Sequence, residues 1–354
     1  MRALLAAAVL LLAGCGHVVP GSLTGDGKPF DFKFPPCKAD LAAGEPEKVE
    51  VRYLGSGGLY VRWRDEAILL GPQFSNPGLI RAGLGRSRFD ETRIRAALDQ
   101  LGPSPVRAIL AGHSHYDHIG DVPIVAVHPR AEHARIYVNA TGEKMLGAYP
   151  SLRSRTTSIR AGDQFDLSPS FRVRVIRSGH APQLCPWNVF PCVYGAGEVN
   201  EAWTTEWKHH RLRTFRGGQT LAFDIEVRDG DTTRFRLYYN DSSAGSPLGQ
   251  TTGDFDLAVL TLAQWRWVRD YPRDLLLVLR PRHVLVSHWD NFFSTDEEHF
   301  PFVANLSNRS AAQFLGIVKE HAGGGGAPGN AVCGVKTDWY TMPVPRAVLL
   351  FAPR

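Results

Sequence analysis

Apolar and polar residues alternate over two short runs, Val49-Val51-Tyr53 and Leu59-Val61-Trp63, with Gly55-Ser56-Gly57-Gly58 between them. A period of two broken by glycines predicts a β-hairpin with a half-buried face. No Gly-Lys-Ser/Thr and no helical pattern follows, so these glycines make a turn and not a phosphate loop. The period becomes helical at Ile94, Ala97, Leu98 and Leu101, with Asp90 as the N-cap and Gly102-Pro103 as the stop. The apolar run 106–111 then predicts a strand, and an amphipathic-looking segment follows a cluster of polar residues at 113–118. Residues 171–175 alternate apolar with basic, as a half-buried strand does. Segments 221–227 and 233–239 flank Asp229-Gly230 as strand, turn, strand. Residues 283–287 predict another strand, 308–320 a late helix and 347–351 a final strand. There is no internal repeat or heptad, and the length suits one large α/β domain.

The polar cluster carries the chemistry. His113-Ser114-His115-Tyr116-Asp117-His118 packs three imidazoles and a carboxylate into six residues directly after a strand. Imidazole nitrogen and carboxylate oxygen suit divalent ions such as zinc, and one tight strand-to-helix turn can bring them to a point. Further candidates stand where later apolar runs end: His180 after 171–179, Asp241 after 235–240, and His288 after 283–287.

Five His and two Asp in this order resemble the metallo-β-lactamase superfamily over about residues 47–320. The resemblance implies an αββα sandwich, two β-sheets flanked by helices with metals at one edge. It implies one ion held by His113, His115 and His180, a second by Asp117, His118 and His288, and Asp241 bridging them together with a hydroxide. Asp117 and Asp241 are then the candidate catalytic carboxylates. The expected cofactor is a pair of zinc ions, with manganese or iron as alternatives. One departure stands out: members often end the early strand with Asp-Pro, whereas this chain has Gly71-Pro72, so support of the site from that position is missing.

A bridging Asp241 resembles the branches acting on phosphodiesters, lactones or thioesters, because the antibiotic-hydrolysing members commonly carry a Cys ligand and lack that bridge. The His-x-His-Tyr-Asp-His pattern is also similar to N-acyl-phosphatidylethanolamine-hydrolysing phospholipase D. The resemblance therefore implies a hydrolase of a phosphodiester or phospholipid-like substrate. A lactone or carboxylic-ester hydrolase and a non-catalytic metal-binding lipoprotein are the alternatives. Tyr116, Trp187 and Trp289 are candidate substrate contacts, although Trp289 could equally pack the sandwich edge. Trp187, Trp203 and Trp207 lie in a long insertion that could cover the site or pack on itself. The pair His209-His210 reads as a solvated face.

The first fifteen residues set the expected compartment. Met1-Arg2, an apolar stretch too short to span a bilayer, and Leu12-Ala13-Gly14-Cys15 resemble a bacterial lipoprotein signal, with Cys15 as the lipidated residue. The expected organisation is a signal over 1–15, a tether over 16–46 and the hydrolase domain over 47–354. The expected location is the cell envelope, anchored to the outer membrane and facing the periplasm; a periplasmic or secreted protein is the alternative. Export favours disulfides among the four other cysteines. Three connectivities are open, of which Cys185–Cys192 with Cys37–Cys333 is the expected one, and four reduced thiols are the alternative. The formal charge of +5 comes from 40 basic and 35 acidic residues without a long run, which indicates no nucleic-acid partner. The expected partners are a small-molecule or lipid substrate and the membrane.

Overall fold

A computed structural model describes residues 47–76, 85–181, 197–245, 249–290, 308–321, 330–331, 335–336, 340–342 and 348–354. Cys15, Cys37, Cys185, Cys192, Cys333 and Trp187 lie outside the described residues, and with them the expected anchor and disulfides.

Among the described residues, two mixed sheets of eight strands make up the core of the molecule. In the first, β1 (Val49–Gly55), β2 (Gly58–Trp63) and β3 (Glu66–Leu70) form an antiparallel meander, the predicted hairpin plus one strand. From β3 the sheet continues in parallel through β4 (Val106–Leu110), β5 (Arg135–Val138) and β6 (Thr156–Ser158). In the second, β7 (Gln164–Ser168), β8 (Phe171–Arg177), β9 (Leu221–Asp229) and β10 (Thr232–Tyr239) are antiparallel neighbours. Strands β11 (Leu257–Thr261) and β12 (His283–Ser287) extend this sheet in parallel from β10. The last strands complete both sheets: β16 (Val348–Phe351) pairs with β1 and β13 (Asn330–Ala331) with β16, while β15 (Tyr340–Met342) pairs with β12 and β14 (Val335–Lys336) with β15. The helices are α1 (Glu91–Asp99), α2 (Tyr116–Ile119), α3 (Val122–Val125), α4 (Ala140–Leu146), α5 (Arg273–Leu279) and α6 (Asn308–His321). Two sheets with helices outside make the expected αββα sandwich, consistent with the metallo-β-lactamase fold that the sequence resembles.

Local sequence explains the elements that frame the site. Asp90 caps α1 by accepting a hydrogen bond from Arg93 N at 3.0 Å, and Ile94, Ala97 and Leu98 form its buried face. The helix ends at Asp99, before Gly102-Pro103. Gly230 supplies φ 58° to the turn between β9 and β10. Strands β3, β11 and β12 are buried at every position, as strands covered on both faces are. The amphipathic segment expected after the motif is instead two single turns, α2 and α3. All of α2 and three of the four residues of α3 are buried, so no solvent face exists to impose a helical period.

Strand direction decides where the ligand candidates meet. Strand β8 is antiparallel to β9 and β9 to β10, so β8 runs with β10, and β11 and β12 run with β10 as well. The carboxyl ends of β8, β10 and β12 therefore open on one sheet edge. His180, Asp241 and His288 follow those ends, while β4 of the other sheet delivers residues 113–118. Open α/β sheets place ligand sites outside such strand ends.

Candidate metal centre

All seven candidate ligands line one pocket. His113, His115 and His180 offer ligand atoms within 4.8 Å of one another, and so do Asp117, His118 and His288. Asp241 groups with His113 and His118, one residue from each set, and so lies between the two.

Hydrogen bonds fix which atoms face the pocket. His113 Nδ1 lies 2.9 Å from Asp241 Oδ1, and His180 Nδ1 lies 2.6 Å from the Ala181 carbonyl oxygen. Each acceptor calls for Nδ1–H, which leaves a lone pair on Nε2. His113 Nε2 and Asp117 Oδ1 are buried and have no hydrogen-bond partner among the described residues. Asp117 Oδ2 lies 3.4 Å from His118 Nε2 and 3.3 Å from His288 Nε2. Asp241 Oδ2 accepts from Gly112 N at 3.0 Å, and a Cβ at position 112 would fall 2.6 Å from Asp241 Oδ1. Only glycine leaves room for that carboxylate.

Two further fasteners hold the imidazoles. Asn139 caps α4 by accepting from Gly142 N at 2.8 Å and donates from Nδ2 to the Gly217 and Gln219 carbonyls. Gly217 in turn accepts from Ser114 N at 2.9 Å and passes so close to His115 that a Cβ there would fall 2.9 Å from Nε2. On the other side, His288 sits in the left-handed region at φ 51°, a conformation that costs a non-glycine residue about 1–3 kcal/mol. Its N–H donates to Tyr53 Oη at 3.0 Å, and Tyr53 Oη also accepts from Gly57 N and donates to Asp290. The second Asp290 oxygen accepts from Ser56 N at 3.1 Å. The predicted glycine-rich turn thus also buttresses His288.

Burial sets the charge states. It lowers the His113 and His115 imidazoles well below their ordinary value, brings His118 down to about 4 and lowers His180. Burial opposes a charge on His288 too, but the hydrogen bond and charge of Asp117 outweigh it and raise this imidazole. Burial would raise the Asp117 carboxyl; His118 and His288 prevail and hold it well below the usual carboxylate range. Asp241 is raised, chiefly by burial. Four neutral imidazoles, an ionised carboxylate and two buried acceptor atoms without partners fit a divalent ion, with donors that suit zinc, manganese or iron.

Other expectations are corrected. Tyr116 and Trp289 are fully buried in the hydrophobic core and are not among the pocket-lining residues, because each side chain is taken up by packing. Trp203 and Trp207 pack with Phe215 at ring distances of 5.3 and 5.1 Å, and Trp207 Nε1 donates to the Met145 carbonyl. His210 stacks on Trp203 at 3.8 Å. The described part of the insertion therefore packs on the domain. The sequence reading missed Ser242, Ser243, Thr261 and Gln264, which line the pocket beside the ligands. Their signal was available only as positions just after β10 and β11.

Residues 79–180 match the family model of the metallo-β-lactamase superfamily. No curated protein matches the sequence. Among solved structures, the chain is similar to a metallo hydrolase from the archaeon Ignicoccus hospitalis, at 12% identity and TM-score 0.47, covering 86% of this chain and 98% of that one. It is similar to CmlA, a diiron β-hydroxylase from Streptomyces venezuelae, at 12% identity and TM-score 0.49, covering 85% and 54%. It is also similar to zinc-bound PqqB from Methylobacterium extorquens, at 12% identity and TM-score 0.41, covering 75% and 95%. The fold, the family-model match over 79–180 and the His/Asp groups together give this chain a metallo-β-lactamase-type sandwich with a candidate metal centre at one edge.

Proposed function

We propose that the protein hydrolyses a phosphodiester or phospholipid-like substrate with two divalent ions, one held by His113, His115 and His180 and one by Asp117, His118 and His288. The observation that carries this reading is the position of Asp241 between the two groups, in contact with a residue of each. Held by these residues, divalent ions would lower the pKa of a coordinated water to about 7 and would supply charge stabilisation for the oxygens of an in-line displacement.

The chain's own part is orientation. Asp241 keeps lone pairs beyond those used by His113 and Gly112, so it can serve both ions. Ser243 Oγ lies 2.9 Å from the Thr261 carbonyl and 2.6 Å from that of Ala263, its single hydrogen serving one of them, and Thr261 Oγ1 donates to the Asn240 carbonyl, so the pocket wall is tied to the ends of β10 and β11. Gln264, in the left-handed region at φ 58°, lines the same pocket and is a candidate contact for a polar substrate group.

Cys15 is proposed to anchor the chain to the membrane, which would set the pocket near phospholipid. Among the described residues no helix is long and apolar enough to cross a membrane. Metal analysis followed by generic phosphodiester, lactone and carboxylic-ester substrates tests the reading. Metal-dependent cleavage of the phosphodiester is expected, and cleavage of the lactone or ester alone would overturn the substrate class.

A further inference from the structure

Residue 71 follows β3 with φ 49° and carries no side chain. A Cβ there would fall 2.7 Å from Tyr239 Oη, 3.6 Å from His118 Nδ1 and 3.7 Å from Asp241 Oδ2. The phenol of Tyr239 therefore occupies the space that a side chain at position 71 would fill, and shares it with atoms of two residues of the metal centre. Tyr239 is the last residue of β10 and Asp241 follows two residues later, and atoms of both approach position 71.

The hydroxyl has no reason to be there for packing. The Tyr239 ring is fully buried and lies parallel to Phe223 at 6.2 Å, a role that phenylalanine would fill equally well. Tyr239 Oη and His118 Nδ1 are both buried and without a hydrogen-bond partner among the described residues. A buried polar group left in that state is destabilising. His118 Nε2 faces Asp117, so Nδ1 is the nitrogen behind the ring. An imidazole that binds metal through one nitrogen donates its other N–H to an oxygen or water, which fixes ring and tautomer. Asp241 Oδ2 stands 3.7 Å from that Nδ1, beyond hydrogen-bond reach.

We infer that Tyr239 is a positioning residue of the metal centre: seated where residue 71 lacks a side chain, its hydroxyl is the group placed to accept from His118 Nδ1–H once metal fixes that ring. The inference rests on metal being held by His118.

The test measures zinc affinity by competition with a chromophoric chelator, on the full chain, with folding followed by circular dichroism. Tyr239→Phe removes one oxygen and keeps the ring. It is expected to weaken one of the two zinc ions about 10- to 100-fold. Gly71→Asp combined with Tyr239→Phe places a carboxylate in the vacated space, at a position whose backbone conformation aspartate tolerates, and is expected to recover most of that loss. Wild-type affinity in Tyr239→Phe would overturn the inference, as would a double variant no better than Tyr239→Phe. A wild-type chain that binds no zinc would instead overturn the metal reading itself.

Discussion

His288 differs from the other imidazoles of the centre in one respect: Asp117 raises it, whereas burial lowers His113, His115, His118 and His180. An imidazolium cannot ligate, so zinc has to displace a proton from His288, while the lowered rings are already neutral near pH 7. Zinc affinity should therefore fall as pH drops through the raised His288 value, by at most about tenfold per unit. Titration calorimetry in buffers of different ionisation enthalpy should show proton release that grows as pH falls through the raised His288 value; release that does not change with pH there would contradict these charge states. Glycines give a second prediction at this scale. Gly112→Ala would press its methyl into the Asp241 carboxylate, 2.6 Å away, and should lower bound metal with little change in circular dichroism. The ligand candidates were legible because each ends an apolar run. Tyr53, Tyr239 and Asn139 were not, because they act through contacts between residues far apart in the chain, and an isolated tyrosine in a strand carries no local mark of such a role.

Elements were readable where one face meets solvent or a cap marks the end. The hairpin β1–β2, helix α1 with its Asp90 cap and the Asp229-Gly230 turn all follow from period and turn chemistry. Strand β11, buried at all five positions, shows no alternation, and a short apolar run cannot be told from a buried helical turn by periodicity. The same burial hid α2 and α3. The aromatic cluster in the insertion makes a testable contrast with the metal centre. Trp207 is fully buried against Tyr149, Trp203 and Phe215, so Trp207→Ala should cost about 3–5 kcal/mol in denaturant unfolding. Metal per folded chain should stay at the wild-type value. Loss of metal with unchanged stability would show that the insertion belongs to the site instead.

For the whole molecule, two sheets from distant parts of the chain must close before any ligand set exists: His113 and His115 come from the first sheet and His180 from the second. Sandwich formation and assembly of the centre are thus one event, and metal should raise the unfolding midpoint, by an amount that grows with the logarithm of free metal above its Kd. The proposed anchor belongs to this scale as well. Cys15→Ser should release the protein from membranes or leave its leader uncleaved, and wild-type protein found soluble without added lipid mass would favour plain secretion. The central claim is that seven side chains hold two ions. Its most direct test is metal per chain by mass spectrometry under non-denaturing conditions. The wild type should carry two ions, and His115→Ala should lose at least one of them. A wild type without metal, or a His115→Ala chain with its metal content unchanged, would contradict the account.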